Sequence, residues 1–359
     1  MLILWKKIIS ENNNNNNKQR KNMNNFKKIG MTALAASLVS TSVFAGEMAV
    51  TGSAKMAMEG HSGTDITEAT TFSMGNQLTF SGSGEMDNGM TVSLSFVLDQ
   101  SDAAPGPFDG HSVSVSSDAL GTLAFHGEGG SSAASALDTS AAGDMWDNFN
   151  SNGGISVSDS GPGDNSIMYT LPTLVDGLAV NASFNPQISS GITDNYTVAQ
   201  TGNGSELGFS ATYTGIDGLS LSYGITDLDR LGSTAATTYT SNVAKGEQTA
   251  WKASYAYSSI TVSAANTDYD ITGTASDQEM SSYNIAYTVS DAISIGYGTE
   301  EISDGTAGNT DAEYDGFTAS YTAGGMTLSA NMQEGTGIDN TANASGKVDY
   351  YGLSLAFAF

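Results

Sequence analysis

The sequence lacks cysteine and contains little proline and little charge. The absence of cysteine excludes disulfide frameworks, thiolate metal sites and cysteine nucleophiles. Only 5 of the 359 residues are proline, which argues against collagen-like and proline-rich linker architectures. Charged residues form 14% of the chain, where about 25% is usual. After residue 45 there is no apolar stripe of helical period and useful length, so a helical protein is not expected.

The N-terminal region contains a secretion signal. From Met23 the chain carries two lysines, then a mostly apolar stretch from Ile29 to Val39, then the small-residue ending Val43-Phe44-Ala45. This pattern predicts a signal peptide at residues 23–45, cleaved after Ala45. A membrane anchor would need about 20 apolar residues. We interpret residues 1–22 as an upstream extension outside the folded domain and expect the domain to cover residues 46–359.

Positive charge is scarce in that domain. Of the 12 Lys and Arg residues and 38 Asp and Glu residues, only five basic and 37 acidic residues follow Ala45. Such an acidic chain does not bind nucleic acid. It is also repelled by anionic lipid surfaces unless its carboxylates are held away from them.

Alternation of apolar and polar residues with a period of two recurs along the whole domain. Met90 to Leu98 and Leu219 to Ile225 are clear examples, and the pattern indicates an all-β protein. Sixteen strands are predicted, at 47–58, 71–85, 90–99, 111–117, 122–128, 164–171, 178–186, 205–215, 219–229, 247–257, 260–268, 279–289, 292–302, 312–322, 326–334 and 346–359.

The connections between these strands alternate between seven short turns and eight longer, polar and acidic loops. An up-and-down antiparallel transmembrane β-barrel needs this arrangement, with the short turns and both termini on the periplasmic side. The polar positions of the strands are mostly Ser, Thr, Asn and Gly, as expected for a water-filled interior. Aromatic residues precede the short turns, where a girdle would contact the lipid headgroups, at Phe80, Tyr169, Tyr213, Tyr257, Tyr287 and Tyr321.

The last eight residues, Gly352 to Phe359, place every large apolar side chain on one face of a strand. Exposure of the two terminal phenylalanine rings to water would forfeit about 1.5–3 kcal/mol of burial each, so this face is expected to meet lipid. The segment resembles the terminal strand of bacterial outer-membrane β-barrels, in which the final Phe is part of what the barrel assembly machinery recognises. That resemblance implies an assembly signal at Phe357 and Phe359.

Two internal segments resemble general diffusion porins of Gram-negative bacteria. Asn165 to Pro172, followed by Asp176-Gly177-Leu178, resembles the strand, turn and strand after the third external loop, and Gly121 to Gly127 resembles the strand before it. The resemblance implies a sixteen-stranded barrel of the outer membrane, usually a homotrimer, that passes small hydrophilic solutes without chemistry. It departs at Met168, which is often basic in the family, so a positively charged arc on the wall is not expected.

The longest connection runs from Gly129 to Gly163 and is the third external loop. A 35-residue connection in a compact domain suggests a function, and the resemblance implies that it folds into the lumen and narrows the pore. Trp146 and Phe149 are expected to anchor it. Its candidate constriction residues are the carboxylates at or beside it: Asp138, Asp144, Asp147, Asp159 and Asp164. A disordered surface loop is the alternative.

Strand parity places Lys55, Lys252 and, at the rim, Arg230 toward the lumen, and His126 is expected in the lumen or at its rim. Few basic groups against many carboxylates predict a cation preference, because fixed negative charge in a confined pore concentrates cations. Alternatively, most carboxylates lie on external loops and are screened beyond roughly 8–10 Å by salt.

Other functions are less well supported. Two acidic sets offer oxygen ligands for Ca²⁺ but lack the spacing of a defined calcium loop: Asp304, Asp311, Glu313 and Asp315, and Asp268, Asp270 and Asp277. Apart from Ca²⁺ at these acidic loops, we expect no cofactor. No catalytic motif is present, so an enzyme is not expected. A non-conducting structural or adhesive barrel, or a soluble adhesin of β-sandwich type, remains as an alternative to a diffusion channel.

Overall fold

The computed structural model describes residues 47–64, 68–99, 108–137, 140–157, 164–186, 205–231, 243–271, 277–306, 308–342 and 346–359. The upstream extension and the signal peptide, predicted at 1–22 and 23–45, lie outside the described residues, as do Asp138 and Asp159. Arg230 belongs to a described strand, but its side chain is outside the description.

In the described residues, sixteen antiparallel strands form a closed barrel. Each strand pairs with its neighbours in sequence, and the first pairs with the last. The strands are β1 (Glu47–Gly63), β2 (Ala69–Glu85), β3 (Thr91–Asp99), β4 (Phe108–Ser117), β5 (Gly121–Glu128), β6 (Ser166–Thr170), β7 (Leu178–Asn185), β8 (Glu206–Tyr213), β9 (Leu219–Leu231), β10 (Val243–Tyr257), β11 (Ile260–Ile271), β12 (Gln278–Thr288), β13 (Ile293–Ser303), β14 (Ala312–Ala323), β15 (Met326–Thr336) and β16 (Lys347–Ala358).

The predicted barrel, its strand number and its order of short and long connections are confirmed. The main differences lie at the extracellular ends. β1 and β2 were predicted at 47–58 and 71–85, but they continue to Gly63 and begin at Ala69, paired as far as His61 and Ala69. These polar ends carry no apolar alternation that a sequence pattern could detect, because strands that project beyond the membrane have no lipid-facing side.

The chain end closes the barrel. The Gly52 amide donates to the Phe359 carbonyl oxygen at 2.7 Å, and the Phe359 amide donates to the Gly52 carbonyl oxygen at 3.0 Å. The Phe359 ring is exposed on the outer face, on the same side of β16 as Leu353. The predicted apolar face of the terminal strand is therefore its outer face.

The outer surface carries an apolar band. Large exposed apolar side chains occur around the barrel, as expected for a surface that meets lipid rather than water. The aromatic residues before the short turns lie on this face; Tyr257 and Tyr287 are exposed there, and Phe80 stacks on Phe96 with ring centroids 4.8 Å apart. Outward-facing carboxylates gather instead near the extracellular ends of β11–β16, among them Asp268, Glu279, Glu313, Asp315 and Glu334.

The barrel wall is uneven in height. Strands β5–β8 have 5 to 8 residues, whereas β9–β16 have 11 to 15. A transmembrane strand needs about 9–11 residues, so the sector β5–β8 forms a low wall. Within the described part of the chain, no helix has the length and apolarity required to cross a membrane.

Candidate functional site

The connection between β5 and β6, residues 129–165 and called the third loop below, enters the barrel. Its first part bonds to the inner faces of neighbouring strands. The Ala133 amide donates to Ser183 Oγ of β7 at 2.8 Å, and Ser135 Oγ donates to Gln248 Oε1 of β10 at 3.0 Å. The Thr226 hydroxyl of β9 donates to Ser132 Oγ at 3.1 Å. The first part of the loop therefore lies along the inner wall of the barrel and does not project into the external solvent.

Glycines make room for the loop on the wall. A Cβ atom at Gly224 of β9 would lie 2.9 Å from the Ala134 Cα, and one at Gly298 of β13 would lie 2.7 Å from the Ala142 Cβ. Contacts below 3.0 Å require something to move. These inner-face glycines thus allow the loop to approach the strand backbone closely, and we call them the seats of the loop.

The second part of the loop is attached by a buried polar cluster. Ser140 Oγ donates to Glu300 Oε1 of β13, and the Trp146 amide donates to the other oxygen, Glu300 Oε2, at 3.1 Å. Lys252 Nζ of β10 donates to the Ser140 carbonyl oxygen at 2.6 Å. Ser140 is 1% exposed and Glu300 is 2% exposed. The two charged side chains of this cluster, Glu300 and Lys252, therefore bond to the loop.

The third part is a 3₁₀ helix, Met145–Asn152, which packs on β14, β15 and β16. Phe149 is fully buried, with ring centroids 5.1 Å from Tyr314 and 6.1 Å from Tyr350. His61 Nε2 donates to the Asn148 carbonyl oxygen at 2.6 Å. The aromatic anchoring expected of Phe149 is present. Trp146 is half-buried and contributes its backbone amide to Glu300.

The loop next contacts the extracellular connections and then closes on itself. The Ile155 amide donates to the Ile338 carbonyl oxygen at 2.7 Å, and Gln278 Nε2 donates to the Ser156 carbonyl oxygen at 3.0 Å. At its base, the Gly129 amide donates to Asp164 Oδ1 at 3.3 Å. Asp164 thus joins the two ends of the loop.

These attachments divide the inner surface of the barrel into two parts. We call the inner face of β9–β16 the covered wall. Each of these strands has an inward side chain that is buried: Thr226, Gln248, Thr267, Ser282, Glu300, Tyr314, Gln333 and Val348. At these positions, an inner surface that would otherwise line a water-filled lumen is part of the protein interior.

We call the inner face of β2–β6 the open wall. Cross-strand pairing aligns hydroxyl side chains into rows, one through Ser81, Ser95, Ser112, His126 and Ser166, and one through Thr91, Ser116, Thr122 and Thr170. Apart from buried Ser166, these side chains are half-buried. The open wall therefore offers neutral hydrogen-bonding groups to the lumen along most of its height.

The described loop carboxylates occupy different places. Asp144 and Asp147 are exposed, on either side of the beginning of the 3₁₀ helix. Asp147 Oδ1 accepts a hydrogen bond from Asn150 Nδ2 at 2.9 Å, and Asp144 Oδ1 accepts one from Trp146 Nε1 at 3.4 Å. Asp164 is half-buried at the base of the loop. The structure thus brings Asp144 and Asp147 together and separates both from Asp164.

The predicted wall residues also differ in position. Lys55 is exposed on the inner face of β1, and His126 lies on the inner face of β5, in the open wall. Lys252 faces inward as parity predicts, but it lies beneath the loop and is bonded to it. Two predicted groups are therefore at the lumen surface and one is in the covered wall.

The acidic sets considered for Ca²⁺ do not form a coordination sphere. Among the described residues, no group of three or more His, Asp or Glu side chains is placed to hold a metal ion. Asp304 accepts hydrogen bonds from the Thr306 amide at 2.8 Å and from Asn309 Nδ2 at 2.9 Å, and Asp315 accepts one from the Tyr297 hydroxyl at 3.0 Å.

Ser140 and Glu300 are functional residues that were not predicted from the sequence. Glu300 does carry a signal, because it is a carboxylate at an inward position of a strand whose preceding inward positions are Ser294, Gly296 and Gly298. A charge at the end of such a neutral row indicates a specific partner. The identity of that partner, 160 residues away in the chain, requires the fold.

Comparisons with known proteins agree with this geometry. A family model described as Gram-negative porin matches residues 30–359. The anion-selective porin from Comamonas acidovorans is similar in structure, with a TM-score of 0.64 at 14% identity over 88% of this chain and 100% of that one. A variant of the Rh. blastica porin has a TM-score of 0.57 at 17% identity, over 87% and 100%. No curated protein sequence matches significantly.

Proposed function

The chain belongs to the Gram-negative porin family and is a channel protein of the outer membrane, and from this premise we propose that it passes small hydrophilic solutes and ions by passive diffusion, with a preference for cations. The observation that carries the proposal is the division of the lumen into a wall covered by the third loop and an open, hydroxyl-lined wall. Solutes move between the loop and the open wall.

The open wall supports general diffusion. Hydroxyl groups donate and accept hydrogen bonds, so they replace one another and water as partners of a passing solute at little net cost. The rows contain neither a ladder of basic side chains nor a track of aromatic ones in the described part of β2–β6. Such a surface discriminates by size and charge more than by chemical identity.

The charges near the passage support cation preference. Asp144 and Asp147 are exposed on the loop, while Lys252 is committed to the Ser140 carbonyl and does not face the passage. Met168 occupies an inward position of β6 in the open wall, and it carries no charge. Fixed carboxylates with little opposing positive charge raise the local concentration of cations. The anion selectivity named for the Comamonas acidovorans porin belongs to that protein, with which this chain shares 14% identity.

The low wall supports assembly into a homotrimer. Strands β5–β8 are shorter than a lipid-exposed strand requires, yet their outer side chains are apolar, including exposed Phe125, Phe184 and Phe209. Contact with neighbouring copies would cover this sector and leave the taller β9–β16 toward lipid. Native mass spectrometry of the detergent-solubilised protein should give a trimer mass, and a monomer mass at all protein concentrations would contradict this assignment.

The terminal residues support recognition by the barrel assembly machinery. Phe359 presents its ring on the outer surface while its backbone closes the barrel, so ring and backbone have separable roles. Phe359→Ala preserves both backbone bonds. We expect it to reduce the amount of protein in the outer membrane of cells without changing the conductance of the channels that do form; unchanged amounts would contradict the assembly role.

Conductance in planar bilayers tests the channel directly. The folded protein should give discrete current steps, and a salt gradient should give a reversal potential of cation-selective sign. The double variant Asp144→Asn and Asp147→Asn should weaken this preference, whereas Asp217→Asn, in an exposed periplasmic turn, should not. Inserted protein that migrates as a folded barrel but never conducts would contradict the channel and favour a structural or adhesive barrel.

A further inference from the structure

We propose that Glu300 is the positioning residue that holds the third loop in the lumen and thereby determines the cross-section of the channel. Its carboxylate joins two points of the loop, because one oxygen accepts from Ser140 and the other from the Trp146 amide. It therefore spans the turn that leads into the 3₁₀ helix and presents the exposed carboxylate of Asp144. This role rests on the proposed channel function, and Glu300 itself is buried rather than exposed to the passage.

Ser140 is the centre of this attachment. Its hydroxyl donates to Glu300 and accepts from the amides of Ala142 at 2.9 Å and Gly143 at 2.8 Å, while its carbonyl oxygen accepts from Lys252. The local turn and the contact with Glu300 thus depend on the buried Ser140 hydroxyl, and the contact with Lys252 depends on the Ser140 main chain. Since Lys252 is on β10 and Glu300 is on β13, the attachment bridges the inner face across four strands.

Because Glu300 is buried, its attachment favours the state in which the loop lies inside the lumen over a state in which the loop is withdrawn. A buried carboxylate is stable only when hydrogen-bond donors replace the lost water, and here the Ser140 hydroxyl and the Trp146 amide, both groups of the loop, donate to it. Withdrawal of the loop would leave Glu300 without them. Gly298 lies two residues before Glu300 on the same face and leaves the space that Ala142 occupies. The inner face of β13 therefore matches this loop segment in shape as well as in hydrogen bonding.

The remaining attachments keep the barrel intact when this one is lost. The segment around Ala133 is bonded to β7, and Phe149 is buried among the aromatic side chains of β14 and β16. Loss of Glu300 therefore loosens the part of the loop between these two attachments, which keeps only the hydrogen bonds that do not involve Glu300, such as those from Lys252 and to Ser282. We expect a change of the channel without loss of the folded barrel.

The test compares Glu300→Ala with Glu301→Ala, its exposed neighbour on the opposite face of β13. Both variants should retain the heat-dependent electrophoretic shift of the wild-type barrel. Glu300→Ala should raise single-channel conductance by about twofold and admit larger sugars in vesicle-swelling measurements, whereas Glu301→Ala should behave as wild type. Unchanged conductance and size limit in folded Glu300→Ala would overturn the proposal.

Two further measurements keep the test decisive. Ser140→Ala removes the same attachment from the loop side, so combining it with Glu300→Ala should add no further change in the logarithm of conductance; additive effects would contradict a shared attachment. If Glu300→Ala does not fold, Glu300→Gln replaces it, because the amide oxygen can still accept from Trp146, and a smaller change in the same direction is expected. Folded Glu300→Gln with wild-type conductance, together with wild-type conductance of Ser140→Ala, would overturn the proposal.

A labelling measurement separates this proposal from the channel itself. The chain has no cysteine, so Ala142→Cys provides a single thiol at the segment that packs on Gly298. Its reaction with a membrane-impermeant maleimide should be about tenfold faster in the Glu300→Ala background. A faster reaction in a protein that does not conduct would support the attachment and contradict the channel, and an equal rate in a conducting protein would contradict the attachment alone.

Discussion

The two inner walls of this barrel begin from the same kind of sequence and end in different environments. Both are made of inward positions rich in Ser, Thr, Gly and other small or polar residues. On the covered wall, Thr226, Gln248 and Ser282 bond to loop atoms, whereas on the open wall the hydroxyl rows are accessible from the lumen. The difference teaches that a polar strand face in a barrel becomes pore lining or interior according to what the longest loop covers.

The largest expected effect comes from introducing the same charge on each wall. Ser282 is fully buried, accepts the Ala141 amide at 2.8 Å and lies opposite Glu300 on the neighbouring strand. Ser282→Arg therefore forces a long, desolvated cation into a filled site and displaces the loop contact, at a cost of several kcal/mol even beside that carboxylate. Ser95→Arg places that cation on the open wall. We expect Ser282→Arg to abolish the heat-dependent electrophoretic shift of the folded barrel. Ser95→Arg should retain the electrophoretic shift and change the reversal potential in the direction of anion selectivity. If the two variants behave equally, the assignment of the covered wall to the protein interior and of the open wall to the pore lining is contradicted.

A second comparison removes an aromatic ring from the inside or the outside. Phe149 is fully buried between the loop and the covered wall, so Phe149→Ala should lower the free energy of unfolding by about 3–5 kcal/mol. Phe125 is exposed on the outer face of β5. Phe125→Ala should lower the free energy of unfolding by less, because the ring has fewer protein contacts to lose and lipid or a neighbouring copy replaces part of them. Urea-induced unfolding in lipid vesicles measures both changes; a larger loss for Phe125→Ala would contradict the interior character of the loop contact.

Paired glycine substitutions test the seats for the loop. Gly298→Ala would bring a Cβ within 2.7 Å of Ala142, whereas Gly75, on the inner face of β2, has nothing within 4 Å of that position. Overpacking should lower the free energy of unfolding by about 1–3 kcal/mol in Gly298→Ala, while Gly75→Ala should change it by less than about 1 kcal/mol. The same unfolding measurement applies, and a neutral Gly298→Ala would show that the loop does not need the seat.

The smallest expected effect concerns the exposed lysine of the lumen. Lys55 lies on the inner face of β1, so Lys55→Met should increase the ratio of cation to anion permeability by roughly twofold at low salt. Lys347 provides the control, because it pairs with Glu334 at 2.6 Å on the outer face. Lys347→Met should leave the reversal potential unchanged. A larger shift from Lys347 than from Lys55 would place the selective charge outside the pore.

Sequence reasoning succeeded where a signal is local and repeated. Alternation along β12 places Tyr283, Ile285 and Tyr287 on the outer face, and the same rule placed Lys55, His126 and Lys252 on the inner one. It was weaker at strand ends such as that of β1, where polar residues extend the pairing. It did not assign roles to these residues: Asp164, a candidate constriction residue, joins the base of the loop, and Lys252, predicted to face the lumen, bonds to the middle of the loop.

The sequence by itself determined that this chain forms a sixteen-stranded outer-membrane barrel, because the period of two, the alternation of turns and loops and the terminal aromatic strand are each encoded by residues close together in the chain. Only the tertiary structure decided which inward residues are covered and which are open. The reason is physical: the decisive contacts join groups 160 residues apart for Ser140 and Glu300 and 112 residues apart for Ser140 and Lys252. Their burial depends on the closed barrel that brings them together.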